Sequence, residues 1–105
     1  MIGVEMLIKN KLCHSIGFNI CGHSGYDTKG KDIVCAAVSS TSQMVVLGLQ
    51  EQEIDFELAN DDDLLYVLLK NHDSKINILE AFRIFIEKLE KQYKEYIKVS
   101  YYVME

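Results

Sequence analysis

Residues 22–40 read GHSGYDTKGKDIVCAAVSS. Within this stretch the spacing of the apolar residues changes from every second residue, which is typical of a strand, to the spacing of a helix. The segment before Gly22 alternates apolar and polar side chains, which predicts a strand. After Asp32, the apolar residues Val34 and Val38 recur at the spacing of a helix that is buried on one side. The quoted stretch therefore predicts a strand end, a glycine-containing loop and a helix start in immediate succession.

Outside this stretch the same patterns predict five strands and two helices. The predicted strands are 2–8, 12–21, 53–59, 64–70 and the final IKVSYYVM, with a turn over 60–63. The first predicted helix runs from the N-cap Asp32 to a stop at Gly48, and the second is capped by Asp73 or Ser74. A helix that begins at Asp61 is the alternative to the second hairpin, because acidic residues suit a helix N-terminus. The order β-β-α-β-β-α-β predicts a two-layer α+β fold with a largely antiparallel sheet.

The composition indicates one globular domain that spans residues 1–105. Of these residues 49% are hydrophobic and 26% charged, and no linker, repeat or low-complexity segment interrupts them. The net charge of −5 argues against a direct nucleic-acid binder, which normally presents a basic face. With no export signal and no unbroken apolar run of about 20 residues, we expect a cytoplasmic protein without membrane contact. The three cysteines then indicate reduced thiols.

Cys35 falls in the first turn of the predicted helix if Asp32 is its N-cap. The partial positive charge at a helix N-terminus favours a thiolate over a thiol, and the same amides can donate to an oxyanion. A buried helical cysteine is usually only a small apolar side chain, so Cys35 alone does not define a site. Ser39 lies one turn further on the same face, where it orients a substrate or simply bonds to its own helix.

His23 ends the second predicted strand, twelve residues before Cys35. Because a strand end and the next helix start can lie side by side, we expect the imidazole to reach the sulfur. A histidine there takes the thiol proton and returns it to a leaving amine. Asp32 either caps the helix only or also orients this imidazole.

The loop between His23 and Cys35 is the predicted substrate-contacting segment, and its glycines permit tight turns. Its predicted residues are Gly22, Gly25, Tyr26, Asp27 and Gly30. The alternative for the two side-chain-bearing members, Tyr26 and Asp27, is a solvated loop without a binding role.

Two other kinds of site have weaker support. Residues 25–32 (GYDTKGKD) approach the phosphate-loop pattern G-x-x-x-x-G-K-[ST], but Asp32 puts a carboxylate where phosphate and magnesium bind. Cys21, His23 and Cys35 lack the paired short spacings of a zinc site. We therefore expect neither a metal nor a cofactor.

The quoted stretch resembles the signature of the ribosomal-processing cysteine protease family, often called Prp. That signature is a Gly-His pair, a loop with glycines, and Asp-Ile/Val-Val-Cys-Ala-x-Val-Ser. Here Gly22 and His23 form the pair, and residues 32–39 read DIVCAAVS. Ser24 stands where the family more often has alanine. The order of predicted elements is also similar, so the resemblance extends over the whole chain.

The resemblance implies a Cys–His dyad in which Cys35 is the nucleophile and His23 the general base, with Asp32 and Ser39 in supporting roles. It also implies removal of a short N-terminal extension, ending in aromatic residues followed by alanine, from a large-subunit ribosomal protein. Family members are typically homodimers whose loop between histidine and cysteine reorders as peptide enters. A non-catalytic ribosome-assembly or protein-binding module and a small metal-binding domain remain the alternatives. The sequence assigns no role to Cys13, Cys21 or His14.

Overall fold

A five-stranded sheet and two helices form the two layers of the computed structural model, which describes residues 1–23, 25–27 and 32–105. The elements are β1 Ile2–Lys9, β2 Ser15–Cys21, α1 Ile33–Glu51, β3 Phe56–Asp61, β4 Leu64–Leu69, α2 Asn77–Gln92 and β5 Ile97–Met104. The strand order is β3-β4-β2-β1-β5, in which β5 runs parallel to β1 and the other neighbours are antiparallel. The predicted α+β class, element order and largely antiparallel sheet are confirmed.

Side chains on the inner face of the sheet form rows across the strands. Met6 pairs with Phe18, Phe18 pairs with Val67, and all three are fully buried. Phe82 of α2 packs on Phe18 with the ring centroids 4.7 Å apart. Burial of each such side chain stabilises the fold by roughly 1.5–3 kcal/mol, so these rows hold the helices against the sheet.

The second hairpin forms as predicted, and the alternative helix from Asp61 is absent from the described residues. Asp61 is instead the last residue of β3, and β4 begins at Leu64. The connection is therefore shorter than the predicted turn over 60–63. Asp61 still shapes it, because its Oδ1 accepts from the Asp63 amide at 3.1 Å.

Two strands begin later than predicted, and positive φ angles explain both differences. β2 begins at Ser15 after Lys11 and Cys13 adopt φ angles of 71° and 56°. β3 begins at Phe56 after Glu53 adopts φ 57°. A residue in this left-handed region interrupts the extended backbone, so the apolar alternation extends further than the strands do.

Helix α1 begins at Ile33 with Asp32 as its N-cap, as predicted, but it continues through Gly48 to Glu51. The prediction that Gly48 stops the helix is wrong. A Cβ atom at residue 48 would lie 2.5 Å from Cδ1 of Ile78. The glycine therefore permits a close approach between α1 and the start of α2 instead of forming a C-cap.

Helix α2 also begins later than predicted, and neither Asp73 nor Ser74 caps it. The N-cap is Ile76, which makes no side-chain capping bond, and its carbonyl accepts from the Glu80 amide at 3.2 Å. Ile76 packs against the core, whereas the Asp73 amide donates to Oδ1 of Asn71 in a separate turn. Apolar packing, rather than a polar cap, accompanies the start of this helix.

Helix α1 is long and apolar enough to cross a membrane by length and composition, with a mean hydropathy of 1.5. The sequence prediction of no such segment considered unbroken apolar runs, and residues 39–42 of α1 are all serine or threonine. Its buried residues are Val34, Val38, Ser42, Val45 and Leu49. A helix that packs on a sheet in a globular domain passes the same test, so this property alone assigns no membrane.

Candidate active site

A cleft of about 460 Å³ lies between α1, the end of β2 and the β3–β4 turn. His23 and Cys35 both line it. Its apolar lining is Ile2, Ile20, Val38, Val46, Leu47, Leu58, Leu64 and Leu65. Its polar lining includes Ser39, Ser42, Gln43, Asn60, Asp61, Asp62 and Asp63. A cleft with both apolar and polar lining can bind an extended peptide through its side chains and its backbone.

Cys35 is half-buried at the third position of α1. Its amide donates to Oδ1 of Asp32 at 2.9 Å, and the Ala36 amide donates to the Asp32 carbonyl at 3.0 Å. These bonds form the predicted cap and leave the sulfur at the positive end of the helix dipole. Both amides are engaged by Asp32, so an oxyanion hole that used the Cys35 amide would require this cap to open.

His23 follows β2 through a turn that only glycine accommodates. Gly22 adopts φ +86°, and a Cβ atom there would lie 2.6 Å from the carbonyl oxygen of Met1. The imidazole Nε2 lies 3.0 Å from Oδ1 of Asp63, and 75% of the His23 side chain is exposed. The histidine therefore contacts a carboxylate from the neighbouring β3–β4 turn, and both residues line the cleft.

In its described part, the loop after His23 contacts the segment between α2 and β5. The Tyr26 ring packs edge-on against Tyr93 and Tyr96, with centroids 5.6 and 5.0 Å apart. Of the predicted substrate-loop residues, Gly22 lines the cleft, Gly25, Tyr26 and Asp27 are absent from its lining, and Gly30 lies outside the described residues. Their contact with substrate stays a prediction.

Ser39 lines the cleft one turn after Cys35 and is exposed. Its Oγ accepts from Nε2 of Gln43 at 3.1 Å, so it bonds within its own helix. The exposed hydroxyl also faces the volume that a peptide would fill. Both roles considered from the sequence are therefore compatible with its position.

Of the residues that the sequence left unassigned, Cys21 also lines the cleft, whereas His14 and Cys13 are not part of its lining. His14 is buried, and its Nε2 donates to the His72 carbonyl at 2.8 Å. The Cys21 sulfur lies beside Gly3, since a Cβ atom at Gly3 would be 3.7 Å from it, and Cys13 is exposed on a turn. Within the ranges 1–23, 25–27 and 32–105, no three His, Cys, Asp or Glu side chains form a metal-binding group.

Asp63 is the site residue that sequence reasoning missed. It lies 40 residues after His23, and antiparallel pairing of Cys21 with Leu64 brings the two together. No short sequence spacing indicates this contact, because the acidic residues 61–63 predict only a turn. The register between β2 and β4 is the signal that would have identified it.

The fold is similar to those of several solved structures. It matches an essential ribosomal processing protease Prp from S. aureus with a covalently linked product peptide, at TM-score 0.87 and 23% identity. It matches the same enzyme with a substrate peptide at TM-score 0.82 and 21% identity; both matches cover 97% of this chain and all of the other. SMU.848 from Streptococcus mutans matches at TM-score 0.74 and 22% identity, over 99% of this chain and 96% of the other. At these identities the matches establish the fold.

The sequence itself also matches a protein family. No curated protein matches the chain. The family described as cysteine protease Prp matches residues 1–98, which include the end of β2, the cap of α1 and the β3–β4 turn. A match over that length covers every residue of the cleft, and the chain therefore belongs to the cysteine protease Prp family.

Proposed function

We propose that this protein is a cysteine endopeptidase that removes an N-terminal extension from a large-subunit ribosomal protein. The observation that carries the proposal is that Cys35 and His23 line one cleft in a chain of the cysteine protease Prp family. The similar S. aureus protein is described as a ribosomal processing protease and holds substrate and product peptides. A cleft of about 460 Å³ is large enough for several side chains of such a peptide.

In this proposal Cys35 is the nucleophile and His23 the general base. The imidazole takes the Sγ proton as the sulfur attacks the scissile carbonyl, and it then returns that proton to the leaving amine. The mature protein departs with the new N-terminus, and the extension remains as a thioester on Cys35. Water, deprotonated by His23, hydrolyses the thioester and regenerates the thiol. The sequence of steps requires no cofactor.

The test is to incubate the protein with the full-length ribosomal protein and to read the new N-terminus by mass spectrometry. We expect trimming by the wild type and a loss of at least about a hundredfold in Cys35→Ala and His23→Ala. Cys13→Ser and His72→Ala are the matched controls and should trim at the native rate. Native-rate trimming by either site variant would rule out the dyad. A substrate that binds but stays intact would favour the non-catalytic module.

We also propose that the protein is a cytoplasmic homodimer. Its three cysteines, all within the described residues, form no disulfide, which suits a reducing compartment. Strand β5 ends the sheet and exposes Tyr101, Tyr102 and Val103 by more than half. A second copy would cover this apolar edge. Sedimentation equilibrium tests the dimer, and a monomeric mass at assay concentrations would contradict it. Fractionation of cells tests the location.

A further inference from the structure

The His23 imidazole has a carboxylate partner that the family signature does not contain. Nε2 of His23 lies 3.0 Å from Oδ1 of Asp63. Both residues line the same cleft as Cys35. The three side chains therefore line one cleft, and the histidine contacts the acid directly.

The position of Asp63 is fixed by the sheet rather than by the loop that carries His23. β2 pairs with β4 in the register Cys21 to Leu64, and Asp63 immediately precedes Leu64. The Asp63 amide donates to Oδ1 of Asp61 at 3.1 Å, which orders the turn. A carboxylate held in this way can orient an imidazole on a neighbouring segment.

The contact also selects a tautomer. An ionised carboxylate only accepts hydrogen bonds, so a contact with it requires Nε2 of His23 to carry a proton and to donate a hydrogen bond to Asp63. Nδ1 is then the ring nitrogen that can take the proton from the Cys35 sulfur. After that transfer both ring nitrogens donate, and Asp63 faces an imidazolium whose charge it stabilises.

We propose that Asp63 is a positioning residue that holds the Nε2–H tautomer of His23 and stabilises its protonated form. This inference rests on the proposed protease function. Both side chains are about three-quarters exposed, at 75% and 74%, so water weakens the pair in the open cleft. A peptide that fills the cleft excludes water, and the interaction strengthens at the stage where the imidazolium forms.

The kinetic test compares Asp63→Ala and Asp63→Asn with Asp73→Ala, which removes an exposed aspartate from a different loop. We expect Asp63→Ala to lower kcat by at least about tenfold with KM within about twofold, because orientation of the base acts in the chemical step. The kcat of Asp63→Asn should lie between those of Asp63→Ala and Asp73→Ala, since the Asn amide oxygen still accepts a hydrogen bond from Nε2–H. A kcat for Asp63→Ala equal to that of Asp73→Ala would overturn the inference.

A second measurement does not depend on activity. The nitrogen chemical shifts of His23 in uniformly 15N-labelled protein report the tautomer directly. We expect Nε2–H to dominate in the wild type and in Asp62→Ala, which removes the neighbouring carboxylate, and to lose its dominance in Asp63→Ala. An unchanged tautomer in Asp63→Ala would overturn the inference. If the tautomer follows Asp63 but the wild type cleaves no ribosomal protein, the positioning contact stands and the proposed function fails.

Discussion

A comparison of the three cysteines distinguishes the effect of solvent exposure on thiol reactivity from the effect of activation. Cys13 and Cys21 are exposed and Cys35 is half-buried, so labelling governed by access alone would reach Cys35 last. If the helix dipole and His23 activate Cys35 as proposed, this order is reversed, and iodoacetamide should label Cys35 at least about tenfold faster than the other two. Peptide mapping by mass spectrometry after brief exposure measures all three rates in one sample.

The control for this labelling experiment is His23→Ala, which should slow the reaction of Cys35 and leave Cys13 and Cys21 unchanged. A wild-type Cys35 that reacts no faster than the two exposed thiols would mean that it is not activated. That result would favour a binding module over a protease.

Residues whose contacts are local could be identified from the sequence, and those whose contacts cross the sheet could not. The cap between Asp32 and Cys35 spans three residues, and the pattern of a helix start predicts it. The Asp63–His23 contact spans 40 residues and depends on the pairing register of β2 and β4. Nothing in the local pattern specifies that register, so the contact of Asp63 with His23 emerged only from the structure.

At the scale of elements, we expect alanine substitutions at two glycines after β2 to differ in their cost to stability. Gly22 and Gly25 both have positive φ, +86° and +71°. A Cβ atom at Gly22 would lie 2.6 Å from the Met1 carbonyl oxygen, whereas no atom of the described residues lies within 4 Å of one at Gly25. Gly25→Ala should therefore cost only the conformational strain, about 1–2 kcal/mol, and Gly22→Ala should cost more because backbone must also move.

Urea unfolding of Gly22→Ala and Gly25→Ala measures this difference, and the cleavage rate measures its effect on the site. We expect Gly22→Ala to lose more stability and more activity, because His23 follows directly. Equal losses in the two variants would show that the Met1 contact does not hold the turn.

The packing of α1 on α2 makes a second prediction at this scale. Cδ1 of Ile78 is the atom that a Cβ at residue 48 would meet at 2.5 Å, and the next atoms lie 3.8 Å away or further. Ile78→Val removes Cδ1, so in that background Gly48→Ala should raise the free energy of unfolding by about 0.5–1 kcal/mol through helix propensity. In the wild-type background the gain should be smaller. A double-mutant cycle measured by urea unfolding tests this coupling, and equal effects in both backgrounds would contradict it.

Helices and strands were predictable where the apolar period is regular, and their ends were not. The helical period of α1 and the alternation of β5 locate both elements. The end of α1 depends on how closely α2 approaches Gly48, and the start of α2 coincides with the packing of Ile76. Those ends are set by tertiary contacts, which override the usual preference of glycine for helix stops and of aspartate or serine for N-caps.

At the scale of the whole molecule, strand pairing joins the residues that lie furthest apart in the sequence. β5 lies beside β1 in parallel, so the last strand of the chain completes the sheet next to the first. The sequence predicts that β5 is a strand, but it contains no turn pattern that indicates which strand lies beside β5. The helix α2 carries the chain back across the sheet, as a parallel connection requires.

The connection between α2 and β5 is tied by a polar cluster at the surface. The Tyr101 hydroxyl donates to Oε2 of Glu87, and Nη1 of Arg83 donates to Oε1 of the same carboxylate at 3.1 Å. Partial burial, together with the hydrogen bond to Glu87 and its negative charge, raises the pKa of Tyr101 to about 12. The tie therefore depends on the protonated phenol.

Because the folded pKa of Tyr101 lies above its ordinary value of 10.0, the unfolded chain releases this proton first as the pH rises. The stabilising contribution is complete below about pH 10 and is lost as the pH approaches about 12. We therefore expect the stability advantage of the wild type over Tyr101→Phe to shrink across this window, measured by urea unfolding at a series of pH values. Tyr102→Phe is the matched control, and its stability should fall in parallel with the wild type. A constant difference between the wild type and Tyr101→Phe would show that the Glu87 bond does not connect β5 to α2 in solution.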